Sequence, residues 1–249
     1  MDIHFLGVGE ACDSQHGNTS ILVRGRDHTL LLDCGFSVPH RFFSLCTEPD
    51  ILNTIWISHF HGDHFLGLPL VLLRFWEMGR TRTLHFVGQP ELEDKVLASL
   101  ELAYPGFLPR LQFPLRFHVI SPEQDQQVRD FRFEAAESGH SQRNYGVRIS
   151  GGGHTIYYSG DGRPTEACQA LMRNCDLVIH EAFTLQDQVS GHSSVATCSE
   201  IVARNQIQRC ALVHLEYRTR SQQNRVEEII AGTPGLFLPE DGDMLTLAS

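Results

Sequence analysis

The sequence predicts one mixed domain of strands and helices, an α+β/α/β chain over residues 1–249. Three observations lead there. Short apolar runs of strand length alternate with longer runs at helical spacing along the whole chain. No Ser/Gly linker, low-complexity tract or simple repeat divides it. The apolar fraction, 41 %, is enough for a sizeable core.

Taken in order, Asp2 to Gly9 reads as a first strand, Asn18 to Val23 as a second and Thr29 to Asp33 as a third, with Gly25-Arg26-Asp27 turning between the last two. Ile51 to Ile57 is a strand. Phe65 to Met78 is a helix whose Leu68, Val71, Leu72 and Phe75 share one face, and Pro69 is tolerated in its first turn. Thr83 to Val87 is a strand, and Pro90 opens a helix from Glu91 to Ala103. Arg116 to Ile120 and Val128 to Ala135 are strands. Tyr145 to Ile149 and Thr155 to Tyr158 form a hairpin around three glycines. A helix from Thr165 to Arg173 precedes the strand Leu177 to Ile179. A second helix runs to Arg204, with a serine after Gly191-His192 to cap it. Ala211 to Val213 is a buried strand, Gln222 to Ile230 a helix, and Leu236 to Leu247 a closing hairpin.

The densest chemistry lies in Ser58-His59-Phe60-His61-Gly62-Asp63-His64. His59, His61, Asp63 and His64 fall between a strand and a helix, and imidazoles with a carboxylate are the ligands that suit zinc and similar divalent ions. Two ligand pairs this close can serve two metals that clamp the attacking and leaving oxygens of a displacement. His59, His140, Asp161, His180 and His214 each follow a predicted strand closely. Polar groups gathered from five strand ends of one sheet edge make a rigid site.

Charge narrows the partners. Lys and Arg number 20 against 30 Asp and Glu, a net −10, so the chain has no general attraction for nucleic acid or anionic membrane. No run is long enough to span a bilayer, and no basic, apolar leader is visible at the N-terminus. Seven cysteines, Cys12, Cys34, Cys46, Cys168, Cys175, Cys198 and Cys210, show no CxxC spacing, and most sit in apolar contexts. Reduced core thiols and a cytoplasmic location are expected. His4, His16, His28, His40, His85, His118 and His154 fit no ligand pattern.

His59-x-His61-x-Asp63-His64 resembles the signature of the metallo-β-lactamase fold, and Gly62 with Gly67-Leu68-Pro69 resembles its ribonuclease Z branch. The resemblance runs from Gly7 to His214 and implies a four-layer αββα sandwich. It assigns His59, His61 and His140 to a first metal, Asp63, His64 and His214 to a second, and Asp161 to both. It implies two divalent ions, Zn2+ in the first place and Mn2+ as the alternative, and a hydroxide between them as nucleophile. Asp33-Cys34-Gly35 resembles the Asp-x-Gly beneath the fold's metal site, which would let Asp33 orient a ligating histidine. His180-Glu181-Ala182-Phe183 and Gly191-His192-Ser193-Ser194 resemble two further stretches of the branch. They make His192 the candidate general acid and His180 and Glu181 its supports, beside Asp63. His61 argues against the iron redox members of the fold, which usually carry a carboxylate there.

The resemblance implies a cytoplasmic hydrolase of phosphodiesters, either a tRNA 3′-end processing endonuclease or an enzyme of small phosphodiesters such as cyclic nucleotides, and a homodimer. Two departures bear on this. Phe36-Ser37-Val38-Pro39 replaces the acidic and small polar residues the branch usually has after Asp-x-Gly. Only a hairpin fits between His140 and Asp161, where many members carry a long arm that grips tRNA. Arg143, Arg148, Arg163 and Arg218 are the cations available to a phosphate. The rival readings are a hydrolase of another ester, thioester or lactone on the same metals, with a closed pocket walled by Phe36, Phe107 and Phe183, and a protein that binds metal without turnover.

Overall fold

A computed structural model describes residues 1–122 and 124–248. The first sheet contains β1 (Asp2–Gly7), β2 (Ser20–Arg24), β3 (Thr29–Leu32), β4 (Thr54–Ile57), β5 (Leu84–Gly88) and β6 (Leu115–Val119). The second contains β7 (Gln126–Val128), β8 (Phe131–Glu137), β9 (Tyr145–Gly151), β10 (His154–Tyr158), β11 (Leu177–Glu181), β12 (Cys210–Val213) and β13 (Leu236–Phe237). The last strand, β14 (Met244–Thr246), returns to the first sheet beside β1, giving orders β14-β1-β2-β3-β4-β5-β6 and β7-β8-β9-β10-β11-β12-β13. Each sheet is antiparallel on one side and parallel on the other, and the change falls between β3 and β4 in one and between β10 and β11 in the other.

The inner faces of the sheets share one core in which Ile3, Phe5, Ile21, Trp56, Phe133 and Ile179 are sealed from solvent. Trp56 stacks on Phe133 across it, centroids 6.0 Å apart. Helices cover both outer faces. The first sheet carries α1 (Val38–Leu45), α2 (Gly62–Phe65), α3 (Leu68–Glu77) and α4 (Leu92–Ala103). The second carries α5 (Glu166–Met172), α6 (Val195–Asn205), α7 (Tyr217–Ser221) and α8 (Gln223–Gly232). The chain is the four-layer αββα sandwich expected. No described helix is long and apolar enough to cross a membrane. Six of the seven cysteines are buried and all are free thiols.

Several elements differ from the sequence expectation. Residues 38–45 form α1, a helix absent from the sequence expectation, and Pro39 is accommodated in its first turn, where no amide partner is needed. The strand expected over Val128 to Ala135 is two strands, broken at Arg129, whose φ of 56° turns the chain. The helix expected from Phe65 is α2 and α3 separated at Leu66-Gly67, and Tyr217–Ser221 adds a turn of helix before α8. Leu236 to Leu247 is no hairpin, since β13 pairs with β12 in the second sheet and β14 with β1 in the first.

At the edge of the first sheet, His85 on β5 and His118 on β6 stack, with His85 Nδ1 2.9 Å from His118 Nε2. Burial, then the neighbouring His118, lowers the His85 pKa from 6.5 to about 4. Over that window the unfolded chain binds a proton that the folded chain refuses, so stability falls as pH drops from 6.5 through about 4. His85→Gln is expected to narrow the loss of Tm between about pH 7 and about pH 4.5, read by circular dichroism melts. An undiminished loss would place the acid sensitivity elsewhere.

Candidate metal centre

The sequence places a turn at the end of each strand nearest the antiparallel-to-parallel change, and the turns converge. Asp33 follows β3, His59 follows β4, Asp161 follows β10, Glu181 ends β11 and His214 follows β12. Asp33 and His214 hold φ values of 57° and 60°, a region non-glycine residues occupy at a cost, repaid here by bonds to the rest of the site. Gly35 is obligatory, because a Cβ there would run into the carbonyl oxygen of Asp63.

Two groups of four side chains each bring one ligand atom per residue to within 4.8 Å of the others: His59, His61, His140 and Asp161, and Asp63, His64, Asp161 and His214. All seven residues expected as metal ligands are therefore gathered, and Asp161 belongs to both groups. In the first, His140 Nε2 lies 3.2 Å from His61 Nδ1, and His59 Nε2 lies 3.9 Å from Asp161 Oδ2. In the second, His64 Nε2 is 3.3 Å from Asp63 Oδ2, 3.3 Å from Asp161 Oδ1 and 3.4 Å from His214 Nε2. Ligand atoms about 2.1 Å from a tetrahedral ion stand about 3.4 Å from one another, so these spacings suit a cation between them. His59 Nε2 and Asp161 Oδ1 are buried with no hydrogen-bond partner among the described residues, a costly arrangement unless a ligand completes it. The donor set fits divalent metal ions.

Electrostatics differ between the groups. Burial, then the neighbouring His64, holds the His59 pKa well below the usual histidine range, and burial, then His140, lowers that of His61. Both imidazoles are neutral and ready to ligate. Burial opposes ionisation of Asp63 and Asp161, yet the His214 and His64 imidazoles outweigh it and hold both carboxyls ionised. Those carboxylates in turn draw protons onto His64 and His214 against burial, and the same field favours a cation.

The outward ring nitrogens are held. His140 Nδ1 donates to Gly191 O at 2.7 Å. His64 Nδ1 donates to Asp33 Oδ2 at 2.8 Å, the orienting contact expected of Asp33. Asp33 also accepts from Ser58 N, Ser58 Oγ and, across the sandwich, Tyr158 Oη at 2.7 Å. Sequence reasoning missed Tyr158, which reads only as the last residue of a strand. Asp33→Ala would orphan four buried donors. It is expected to lower unfolding free energy by about 3 kcal/mol and weaken metal binding about 10–100-fold. Urea denaturation and competition with a chromophoric chelator measure the two, and a variant that keeps both values would show Asp33 to be a passive turn residue.

Glu181 and His192 form a dyad beside the second group. Glu181 Oε1 accepts from Gly162 N at 2.9 Å, Ser193 N at 2.9 Å and His192 Nδ1 at 3.2 Å, and Oε2 accepts from Phe183 N at 3.0 Å. With three amides on its oxygens, Glu181 is equipped to orient His192 rather than to ligate. His192 stacks on Phe183, centroids 4.5 Å apart, and lies 6.1 Å from the His214 ring. Burial lowers the His192 pKa but the Glu181 carboxylate more than compensates, and the net shift is upward.

His180 does not join the site. Side chains alternate along β11, so it turns outward while Glu181 faces the two ligand groups. It packs by Tyr157 and Cys198, its Nδ1 on Glu181 O at 2.8 Å. The three-aromatic pocket wall is also not formed. Phe107 is buried against Trp76 under the outer helices, Phe36 is half exposed, and only Phe183 reaches the site. Of the cations considered, Arg148 is committed to the carbonyls of Leu171 and Arg173, and Arg163 pairs with Asp187 at 3.2 Å.

This layered fold, with its ligands at the switch of both sheets, is that of the metallo-β-lactamase superfamily in its ribonuclease Z-like branch. The Bacillus subtilis metallo-β-lactamase fold protein YhfI superposes with a TM-score of 0.82 at 18 % identity, over 98 % of this chain and 99 % of that one. The short form of human tRNase Z superposes with a TM-score of 0.81 at 22 % identity over the full length of both. Ribonuclease Z of Shouchella clausii is 25 % identical over 301 aligned positions, covering 97 % of this chain and 95 % of the relative. Residues 1–231 match the family model of the anti-Pycsar protein Apyc1, and the chain belongs to that family.

Proposed function

We propose that the protein is a dinuclear metal-dependent phosphodiesterase. The observation that carries this is the sharing of Asp161 between two complete ligand groups, with the Glu181–His192 dyad alongside. Zinc suits the imidazole-rich set and manganese is the alternative. When bound, two such ions polarise the phosphoryl group and activate water for in-line attack. The chain's own residues do the rest. His59, His61 and His140 would hold one ion and Asp63, His64 and His214 the other, with Asp161 in reach of both. Asp33 and Gly191 lock two of the rings in the ligating tautomer. Glu181 holds His192 with its Nε2 free to give a proton to the departing alkoxide. Asp63 is a ligand in this scheme, and His180 supports the helix layer.

Small phosphodiesters such as cyclic nucleotides fit better than RNA. Between His140 and Asp161 the chain has only the β9–β10 hairpin, and the net charge of −10 offers no general attraction for polyanions. Processing of tRNA is the second reading, favoured by the end-to-end likeness to Ribonuclease Z of Shouchella clausii. Zinc-reconstituted protein is expected to hydrolyse bis(p-nitrophenyl) phosphate and nucleoside cyclic monophosphates, and to leave pre-tRNA uncut under the same conditions. Cleavage of pre-tRNA with no turnover of cyclic nucleotides would reverse the order. Two bound metals with no diester hydrolysis at all would redirect the search to carboxylic esters and thioesters.

A further inference from the structure

The loop that carries Asp161 and the turn that carries His140 are joined by one uncharged side chain. Asn144 is sealed from solvent at the end of the turn between β8 and β9. Its Nδ2 donates to Ser138 Oγ at 2.9 Å and to Ser159 O at 2.8 Å, and its Oδ1 accepts from Asp161 N at 3.1 Å. Two oxygens on one side and an N–H on the other leave a single orientation for the amide, with both of its N–H groups used.

Ser138 completes the contact. It lies two residues before His140, and its Oγ donates to Asp161 O at 2.7 Å. Its backbone N donates to Asn144 O at 3.0 Å, which closes the turn around His140. The N–H and the carbonyl of Asp161 are thus both held, by two side chains that also hold each other. Tyr145 N donates to Ser58 O at 3.1 Å, next to His59, and Ser159 Oγ accepts from Glu181 N at 2.9 Å. The clamp therefore reaches the segments bearing His59, His140, Asp161 and Glu181.

The residues on either side of Asp161 admit these two side chains. A Cβ on Gly160 would run into Asn144 Oδ1, and a Cβ on Gly162 into Ser138 Oγ. Neither Asn144 nor Ser138 belongs to a ligand group, yet both hold the backbone of the one residue that the first two groups share. Asp161 turns Oδ1 to His64 Nε2 at 3.3 Å and Oδ2 to His59 Nε2 at 3.9 Å. A rotation of its peptide that brings one oxygen closer to its group withdraws the other.

We infer that Asn144 and Ser138 are positioning residues that set where the Asp161 carboxylate stands between the two ligand groups, and so whether both groups can hold an ion at once. They act through Asp161 and touch neither ion nor substrate. The inference rests on the two-ion part of the proposed function and is independent of the substrate.

Cobalt(II) is the probe, titrated into metal-free protein and followed by its visible absorption, which reports the geometry of each ion's ligands. In Asn144→Ala and in Ser138→Ala, the affinity for the more weakly held of two ions is expected to fall about tenfold or more, with altered bands for that ion. Ser138→Ala removes a single hydroxyl and carries the test if Asn144→Ala does not fold. Val71→Ala, in the buried face of α3 outside the site, is the control for lost stability. It is expected to lower Tm while keeping both affinities and both sets of bands. Unchanged affinities and bands in the clamp variants, or an equal loss in Val71→Ala, would overturn the inference and leave Asn144 and Ser138 as fastenings of the fold. Fewer than two cobalt ions in the wild type would overturn the two-ion reading itself, and the inference with it.

Discussion

Asp161→Ala is expected to lower bound metal from two ions per chain to one or fewer and to cut phosphodiester hydrolysis by about 10³-fold or more. Asp161 is the single residue in both ligand groups. Its Oδ1 faces His64 at 3.3 Å and His214 at 3.6 Å, and its Oδ2 faces His59 at 3.9 Å. The backbone around it is independently fixed. Asp161 N donates to Asn144 Oδ1 at 3.1 Å, and its carbonyl accepts from Ser138 Oγ at 2.7 Å. Alanine therefore removes the ligand without releasing the loop. His64 and His214 keep Asp63 beside them, so the second group loses one donor of four while the first becomes three histidines with no carboxylate. Metal analysis by plasma emission, with rates on bis(p-nitrophenyl) phosphate, reads both effects. A variant that retains two ions and wild-type turnover would show that the groups do not share this residue.

The residues gathered at the candidate metal centre were legible because their information is local. Four of the seven lie within six residues, and the other three each follow a short strand, so a correct strand reading places them at one edge without knowledge of the strand order. What failed depended on distant pairing or on which way a side chain faces. β14 pairs with β1, more than 200 residues away, and nothing near Met244 says so. Along β11 both faces are buried, so apolar residues occupy both parities and the pattern cannot say whether His180 or Glu181 turns inward. Phe107 beside Tyr104 reads equally well as a pocket wall or as packing under α3 and α4. Its contact with Trp76, 31 residues earlier, decides for packing. Tyr158 escaped notice because its role lies in one hydroxyl crossing the sandwich to Asp33, 125 residues away in sequence.

His192→Ala is expected to separate substrates by their leaving groups. An alkoxide, such as the ribose oxygen freed from a cyclic nucleotide, needs a proton in the transition state, and a positioned acid contributes about 10²–10⁴-fold. A p-nitrophenolate departs as a stable anion and needs none. The variant should therefore lose about 10²-fold or more on a nucleoside cyclic monophosphate and less than about tenfold on bis(p-nitrophenyl) phosphate. The pH profile carries the same assignment. Burial disfavours the imidazolium, but the Glu181 carboxylate 3.2 Å away overrides it and keeps the His192 pKa above its ordinary value. The acid form is then present below that raised pKa and is lost as pH rises through it, so the alkyl-diester rate falls on the alkaline side. Glu181→Gln removes the charge that raises the pKa, and the alkaline limb should move to lower pH while the p-nitrophenyl profile keeps its position. Equal losses on both substrates, with no movement of the limb, would make His192 a residue that only shapes the second metal group against His214 and Phe183, since a packing role has no means of sensing the basicity of the leaving oxygen.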